Sequence, residues 1–334
     1  MTAKTDISRT NRAVLAVARL WLTIRHLPLM IRFVRRVGYW PNPAAPETYA
    51  ERMLWRKIFD HNPLFVTLTD KLAAKAHIQE VCPDLKLPAT LWTGHDPADI
   101  PSAFFDDDVV IKVNHGCSMN IFVSGGQPDR AAILRQTRRW LGKPYGRSDG
   151  EWAYWPIRPT VLVEEKLRLS GGTIATDIKV YICGGVVCHV WAEDKLASRS
   201  HLFDRNANPL PGRDPDYPHE NQSMPVHARL VDYIREAIAT APRLAGDLDF
   251  IRVDFLVTDE CLFAGEIVVY SGSGYGTWTN PEITLEVERR WHIAQSHYMR
   301  RTHRGAAHLY AKALKLKCLS DYRAQEPLQD GHQA

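Results

Sequence analysis

Hydrophobic and polar positions alternate along the chain in the patterns that mixed strands and helices produce. Two apolar hairpins stand out, one turning at Gly184-Gly185 and the other at residues 258–260. Residues 204–225 are polar and rich in proline, which predicts a long loop. Predicted helices cover 48–59, 70–81, 130–141, 226–241 and 282–319, and predicted strands cover 87–94, 107–114, 159–167, 176–194, 250–257 and 261–269. This arrangement predicts an α+β fold.

The first forty residues differ in character from the rest of the chain. They hold eight basic residues and one acidic residue, whereas the remainder has a net charge of −3. Arginines recur about every seven residues from Arg12 to Arg36, with apolar residues between them, so a basic amphipathic helix kinked at Pro28 is predicted. These arginines interrupt every apolar run before it reaches the length of a membrane span. Two interpretations stay open: the helix packs on the body or on a second subunit, or residues 12–36 lie on an anionic membrane surface.

Composition excludes several classes of protein. The 334 residues are 45% hydrophobic, so the chain can bury a sizeable core and is not disordered. The six cysteines form no CxxC pair, which favours reduced thiols in the cytoplasm over disulfides or a zinc site. Because the body is slightly acidic, nucleic-acid binding has no support and no nucleic-acid partner is expected.

Two carboxylates in the second hairpin carry the clearest chemistry. Asp254 and Glu266 lie on adjacent strands at even offsets from a short turn, so both side chains are expected on one face. Such a pair can hold Mg²⁺ together with substrate phosphates. Arg252 lies on the same face, where it can neutralise charge on a transferred phosphoryl group. The alternative is an ordinary surface hairpin, but the flanking apolar residues indicate buried strands, in which unpaired carboxylates are costly.

Two further motifs are weak when taken alone. An apolar strand carries Lys112 and opens into an Asn-His-Gly loop, which suits a nucleotide phosphate; a solvent-facing strand lysine is the alternative. The strand VLVEEKL ends in Glu164 and Glu165 and can present backbone groups to an adenine edge.

In this order along the chain, the motifs resemble the ATP-grasp superfamily. The stretch FIRVDFLVTDECLFAGEIVV is similar to a hairpin of D-alanine–D-alanine ligases. The closer resemblance is to the TupA-like ATP-grasp proteins, named after a teichuronopeptide biosynthesis enzyme. It extends over about residues 46–274 and is carried by residues 46–65 and 69–78 and by the motifs VVIKVNHG, VLVEEKL, DIKVYICGG, FIRVDF and FAGEIVVYSGSG.

The resemblance implies an ATP-grasp fold that holds a nucleotide between two α+β lobes. The implied segments are a basic helical segment (1–45), an N-terminal lobe (46–106), a central lobe (107–167), a C-terminal lobe with the magnesium site (168–281) and a basic C-terminal helix and tail (282–334). The implied cofactors are ATP and Mg²⁺. The implied reaction joins a carboxylate to an amine through an acyl phosphate, with an acidic polysaccharide or its precursor and an amino acid or peptide as substrates in cell-surface polysaccharide biosynthesis.

The resemblance also implies roles for single residues. Lys112 contacts phosphates with His115 and Gly116 of its loop; Glu164, Glu165 and Leu167 hold adenine; Asp177 binds ribose; Asp254 and Glu266 bind magnesium; Arg252 and Lys179 act in catalysis; and Lys195 or Arg199 closes over the phosphates.

The sequence departs from the family pattern at two places. The loop after Lys112 reads His-Gly-Cys-Ser-Met, where relatives often have a second glycine. Val268 stands where the ligases have an asparagine and the TupA-like proteins tend to have a threonine, so either one magnesium ion or a weakened pair is expected. These departures keep two alternatives open: a catalytically silent ATP-binding scaffold or regulator of polysaccharide assembly, and an ATP-dependent sugar kinase. The expected location is the cytoplasm or the inner face of the cell membrane.

Overall fold

The computed structural model describes residues 8–125, 129–168, 176–194, 199–211, 222–276 and 280–325. The helices are α1 (Arg9–Arg25), α2 (Leu27–Val37), α3 (Tyr49–Phe59), α4 (Leu64–Thr69), α5 (Lys71–Val81), α6 (Arg130–Leu141), α7 (Ala228–Ala245), α8 (Pro281–Arg290), α9 (His297–Arg300) and α10 (Gly305–Gln325). The strands are β1 (Thr90–Gly94), β2 (Val109–Val113), β3 (Asn120–Phe122), β4 (Val161–Glu165), β5 (Thr176–Cys183), β6 (Val186–Asp194), β7 (Arg199–Asp204), β8 (Pro209–Leu210), β9 (Gln222–Ser223), β10 (Phe250–Val257) and β11 (Leu262–Val268).

The smaller of two sheets has the strand order β1-β4-β2-β3 and is antiparallel throughout. One face packs against α6 through an apolar cluster that includes Ile111, Val163 and Ile133. Because strand residues alternate between faces, Lys112 and Glu164 point away from this cluster. The sheet includes β1, so it extends past the predicted segment boundary between residues 106 and 107.

The larger sheet has the order β11-β10-β5-β6-β7-β8, and β9 pairs with β7. Both predicted hairpins are confirmed: β5 and β6 are joined at Gly184-Gly185, and β10 and β11 are adjacent antiparallel strands. Val180, Val253 and Phe255 belong to the main apolar core, which also contains the buried residues of α7. On the opposite face, β5 and β10 carry the charged residues Asp177, Lys179, Arg252 and Asp254, next to Tyr181 and Phe250, which are buried in the main core. One face of the sheet therefore packs into the apolar core, and the part of its other face that carries these four charged residues forms a polar surface.

Two predicted elements differ from the structure. The predicted loop 204–225 contains the short strand β8, which pairs with β7 and was not predicted from the sequence pattern. Residues 212–221 of this loop lie outside the described part of the chain. The predicted helix 282–319 is divided into α8, α9 and α10. Ser296 accepts a hydrogen bond from the backbone N–H of Met299 and thereby starts α9 as a separate helix, a local cap that periodicity alone does not reveal.

The basic N-terminal segment forms two helices rather than one. α1 and α2 meet at His26, just before Pro28, and their axes are bent by 91°. Leu15 and Leu22 of α1 are buried in the main core, where α1 packs beside α10, so of the two interpretations left open the structure shows packing on the body. Among the described residues no single helix has the length and apolar character to cross a bilayer, and only the bent pair α1–α2 meets those criteria jointly.

Candidate functional site

Three predicted site residues form a row across the larger sheet. Glu266 on β11 pairs directly with Asp254 on β10, which in turn pairs with Lys179 on β5. Directly paired residues project from the same face, so these three side chains share the polar surface. Arg252 lies two residues before Asp254 and therefore on the same face. The structure thus brings together the predicted catalytic and magnesium-binding residues.

Each of these charged groups has a partner of opposite charge. The Nε and Nη2 atoms of Arg252 donate to the two carboxylate oxygens of Asp254 at 2.7 and 2.8 Å. Arg252 also donates through Nη1 to the Oγ of Ser271, 2.9 Å away. Lys179 forms a buried ion pair of 2.6 Å with Glu193, a residue that the sequence did not single out. All three guanidinium nitrogens of Arg252 therefore have an acceptor within the protein.

The donor set of this face fits magnesium only with help from a ligand. No cluster of three or more His, Cys, Asp or Glu side chains that could hold a metal is present among the described residues. Mg²⁺ is usually held by one or two protein carboxylates together with waters and substrate phosphates, and Asp254 and Glu266 supply that number. Val268, which pairs with Arg252, contributes no oxygen. The residues present therefore fit a magnesium ion that arrives with a nucleotide.

Lys112 is held by Glu164 on the neighbouring strand. Its Nζ atom lies 2.5 Å from one carboxylate oxygen of Glu164, and Lys75 of α5 forms an ion pair with the other oxygen. Burial alone would raise the pKa of Glu164, but Lys112 and Lys75 outweigh this effect and lower it below the usual range. The carboxylate that was predicted to hold adenine therefore positions two lysines in this structure.

The other two residues predicted to hold adenine, Glu165 and Leu167, lie at and just beyond the end of β4. Glu165 donates its backbone N–H to the carbonyl of Ala89, and its carboxylate accepts from the N–H of Ala89 at 2.7 Å. Leu167 lies beyond the end of β4 and is half-buried. The adenine contact of these residues stays a prediction.

The loop after β2 is anchored by buried polar contacts. The side chain of Asn114 donates to the carboxylate of Asp70 at 3.1 Å and accepts from the N–H of Thr160 at 2.8 Å. His115 is buried, and burial lowers its pKa, so its imidazole is neutral at pH 7 and does not supply a cation to a phosphate. A Cβ atom added to Gly116 would lie 2.7 Å from the sulfur of Met119. Ser118 has a φ of 56°, which glycine adopts with less strain.

Lys71 connects the two sheets, and sequence reasoning gave it no role. It begins α5 just after Asp70, whose carboxylate caps that helix. Its Nζ atom donates to the carbonyl oxygen of Gly116 at 2.6 Å and lies 3.0 Å from the carboxylate of Glu266. Burial would lower the pKa of Lys71, but Glu266 raises it above the usual value, so the ammonium stays charged. The only signal was its place in the stretch 69–78, whose residues received no individual function.

The remaining predicted residues are only partly placed. Asp177 is buried on the polar face of β5, two residues before Lys179. Lys195 lies outside the described residues. Arg199 begins β7 and is exposed. The structure therefore brings Asp177 beside the central row, and the lysine or arginine that closes over phosphates stays a prediction.

The smaller sheet carries Lys112, and the larger sheet carries the directly paired carboxylates Asp254 and Glu266. The family model described as TupA-like ATPgrasp matches residues 51–287, and the chain belongs to this family. A comparison with curated proteins gives no match.

Several solved ATP-grasp ligases are similar to the chain at low identity. D-alanine–D-alanine ligase from Bacillus anthracis is 14% identical over 77% of this chain and 69% of its own, with a TM-score of 0.37. D-alanine–D-alanine ligase from Helicobacter pylori is 15% identical over 67% of this chain and 61% of its own, with a TM-score of 0.41. The ATP-grasp ligase PsnB, complexed with a minimal precursor, is 14% identical over 74% of this chain and 67% of its own, with a TM-score of 0.35. The family membership rests on the family model and not on these structures.

Proposed function

We propose that the protein is an ATP-dependent ligase that activates a carboxylate as an acyl phosphate and then joins it to an amine. The observation that supports this most directly is the position of Lys71, which contacts both the loop after Lys112 and the carboxylate of Glu266. The loop that follows the Lys112 strand and the Glu266 carboxylate on the other sheet therefore each lie within hydrogen-bond distance of one ammonium. A nucleotide whose triphosphate spans the two sheets satisfies both.

The nucleotide is proposed to lie between the polar faces of the two sheets. Adenine occupies the end of β4 near Glu165 and Leu167, Asp177 contacts ribose, and Lys112 contacts the phosphates together with the backbone around Gly116. Asp254 and Glu266 would hold Mg²⁺, which supplies positive charge to the phosphates when it is bound. To bind Mg²⁺, Asp254 must also keep or give up its contact with Arg252, and Glu266 its contact with Lys71.

The proposed reaction has two steps. A substrate carboxylate oxygen attacks the γ-phosphorus, and the bond from that phosphorus to the β-phosphate oxygen breaks, which releases ADP. An unprotonated amine then attacks the acyl carbon, forms the amide and displaces inorganic phosphate, which takes up the amine's proton. Arg252 neutralises the negative charge that develops in both steps, and Lys179 adds a second positive charge two residues away on the next strand. Positioning and charge, rather than a nucleophilic side chain, supply the catalysis.

We further propose that the substrates are an acidic surface polysaccharide or its precursor and an amino acid or peptide. Support comes from the resemblance to the TupA-like proteins stated above. Because lipid-linked glycan precursors lie at the membrane, we propose that the enzyme works in the cytoplasm at the inner face of the cell membrane.

ADP release in the presence of candidate substrates tests the reaction. We expect release with a uronate and an amine together, and a hydroxamate when hydroxylamine replaces the amine, since hydroxylamine captures acyl phosphates. Release with neutral sugars and no hydroxamate would establish the kinase instead. ATP binding with no release for any substrate pair would favour the silent scaffold. The Arg252→Lys variant serves as control, because it keeps the charge but loses the bidentate contact with Asp254 and should lose turnover.

A further inference from the structure

One face of α1 is apolar and exposed, although the helix is firmly packed on its other side. Four large apolar side chains are 59–69% exposed, namely Val17, Leu20, Trp21 and Ile24. At about 100° per residue they fall within an arc of about 100°. This arc lies opposite the buried Leu15 and Leu22. The helix therefore has two apolar faces, and only one of them is used by the fold.

Positive charge borders this exposed arc on both sides. Arg9 lies about 20° beyond one edge of the arc and Arg25 about 40° beyond the other, and both are exposed. Residues 9–45 contain no aspartate or glutamate. A tryptophan within an apolar stripe that is flanked by arginines is the composition of helices that lie in the plane of a bilayer interface.

We propose that this surface of α1, defined by Val17, Leu20, Trp21 and Ile24 with the flanking arginines, binds an anionic lipid bilayer. The helix would lie flat on the membrane, with its apolar arc among the acyl chains and the arginines beside the lipid phosphates. The proposal does not depend on the ligase reaction.

Charge decides between a membrane and a second copy of the chain. Symmetric pairing through this stripe would place the arginines of two copies beside each other, and no carboxylate in residues 9–45 is present to neutralise them. An anionic bilayer neutralises the same arginines while it covers the apolar arc. The bilayer is therefore the occupant that fits both properties of the surface.

Vesicle sedimentation of the full chain tests the proposal. We expect binding to mixed phosphatidylcholine–phosphatidylglycerol vesicles, weak binding to pure phosphatidylcholine vesicles, and release as salt is raised. The double variant Trp21→Ser/Ile24→Ser should weaken partitioning more than about tenfold. The double variant Arg9→Gln/Arg25→Gln should weaken it by about fivefold for each arginine. Because all four side chains are exposed, melting temperatures should stay unchanged.

Matched variants elsewhere on the surface control for general effects. Val226→Ser/Leu285→Ser removes exposed apolar side chains, and Arg135→Gln/Arg139→Gln removes the same charge from α6. Neither pair should change vesicle binding. Equal binding to neutral vesicles, or equal losses in the control variants, would overturn the proposal. A dimer in vesicle-free solution that Trp21→Ser/Ile24→Ser converts to monomer would assign the surface to a second copy and would also overturn it.

Discussion

Lys71 and Glu266 form an ion pair of 3.0 Å between the start of α5 and the edge strand of the larger sheet. The same ammonium holds the carbonyl oxygen of Gly116 at 2.6 Å, so it also fixes the loop that follows β2. The two halves of the proposed site are thus joined by one cation. Any ligand that takes over Glu266 alters the contacts of that loop as well.

Replacement of Lys71 by methionine should weaken ATP use. The variant keeps much of the side chain's length but removes the charge and both contacts, so the loop at Gly116 loses an anchor. We expect the KM for ATP to rise about tenfold, which corresponds to about 1.4 kcal/mol for the lost charged hydrogen bond. Steady-state ATP turnover measures it, with the exposed Lys312→Met as control. An unchanged KM would show that the bridge has no part in nucleotide binding.

The two candidate magnesium residues should differ in stability when they are neutralised. Asp254→Asn breaks a bidentate contact with the buried Arg252, and we expect a loss of about 2–3 kcal/mol. The Glu266 side chain is 42% exposed, so Glu266→Gln should cost at most about 1 kcal/mol. Both variants should lose ATP turnover if they hold magnesium. Urea unfolding and ADP release test the two parts separately, and full turnover in either variant would remove that residue from the metal site.

Lys112→Ala should separate phosphate binding from base binding. The lysine faces away from the apolar cluster of its sheet and is predicted to contact phosphates, so Mg-ATP should bind at least about tenfold more weakly while adenosine changes little. Glu164 retains Lys75 as a partner in the variant, so no buried charge is left alone. Isothermal titration with both ligands measures the difference. Equal weakening of ATP and adenosine would mean that Lys112 acts only by supporting the strand.

Much of this site was predictable because its residues lie on regular strands. Alternation along β10 and β11 places Asp254 and Glu266 on one face, and the structure pairs them directly. Partners from distant segments were not predictable in the same way. Lys71 and Lys75 reach the site through the packing of α5, for which local periodicity carries no information. Glu193, by contrast, lies on β6 within the predicted hairpin, close to Lys179 on the neighbouring strand.

The N-terminal segment shows a different limit of sequence reasoning. Its composition supported both packing on the body and binding to a membrane, and these were treated as alternatives. In the structure Leu15 and Leu22 pack inward while Val17 and Ile24 face outward. Packing on the body therefore does not exclude binding to a membrane. The two interpretations exclude each other only for a helix with one apolar face, and α1 has two.

A buried carboxyl group outside the proposed site should make stability depend on pH. Burial raises the pKa of Asp60 to about 7, and the nearby Asp249 acts in the same direction. Between the ordinary value of about 4 and pH 7, the folded chain binds more protons at this group than the unfolded chain does. Its contribution to stability is therefore fully present below about pH 4 and is lost as pH rises to about 7.

Replacement of Asp60 by asparagine should remove this dependence. The amide oxygen can still accept the hydrogen bond that the N–H of Tyr298 donates at 2.8 Å. We expect Asp60→Asn to be about 1–3 kcal/mol more stable than the natural chain at about pH 8, and nearly equal at about pH 4. Urea unfolding at both pH values measures this, with the exposed Asp232→Asn as control. Parallel stability curves for Asp60→Asn and the natural chain would contradict it.

The contact between α1 and α10 has a consequence for biosynthesis. Leu15 and Leu22 share a core with Tyr310 and Leu314, so the first helix reaches its final place only after the last helix has been made. At synthesis rates of about 5–20 residues per second, this interval lasts roughly 15–60 s. Throughout it, the inner face of α1 lacks the α10 side chains that pack against it in the finished fold. A basic helix with two apolar faces is therefore made well before the partner of its inner face, and its outer face is the one that stays exposed in the finished fold.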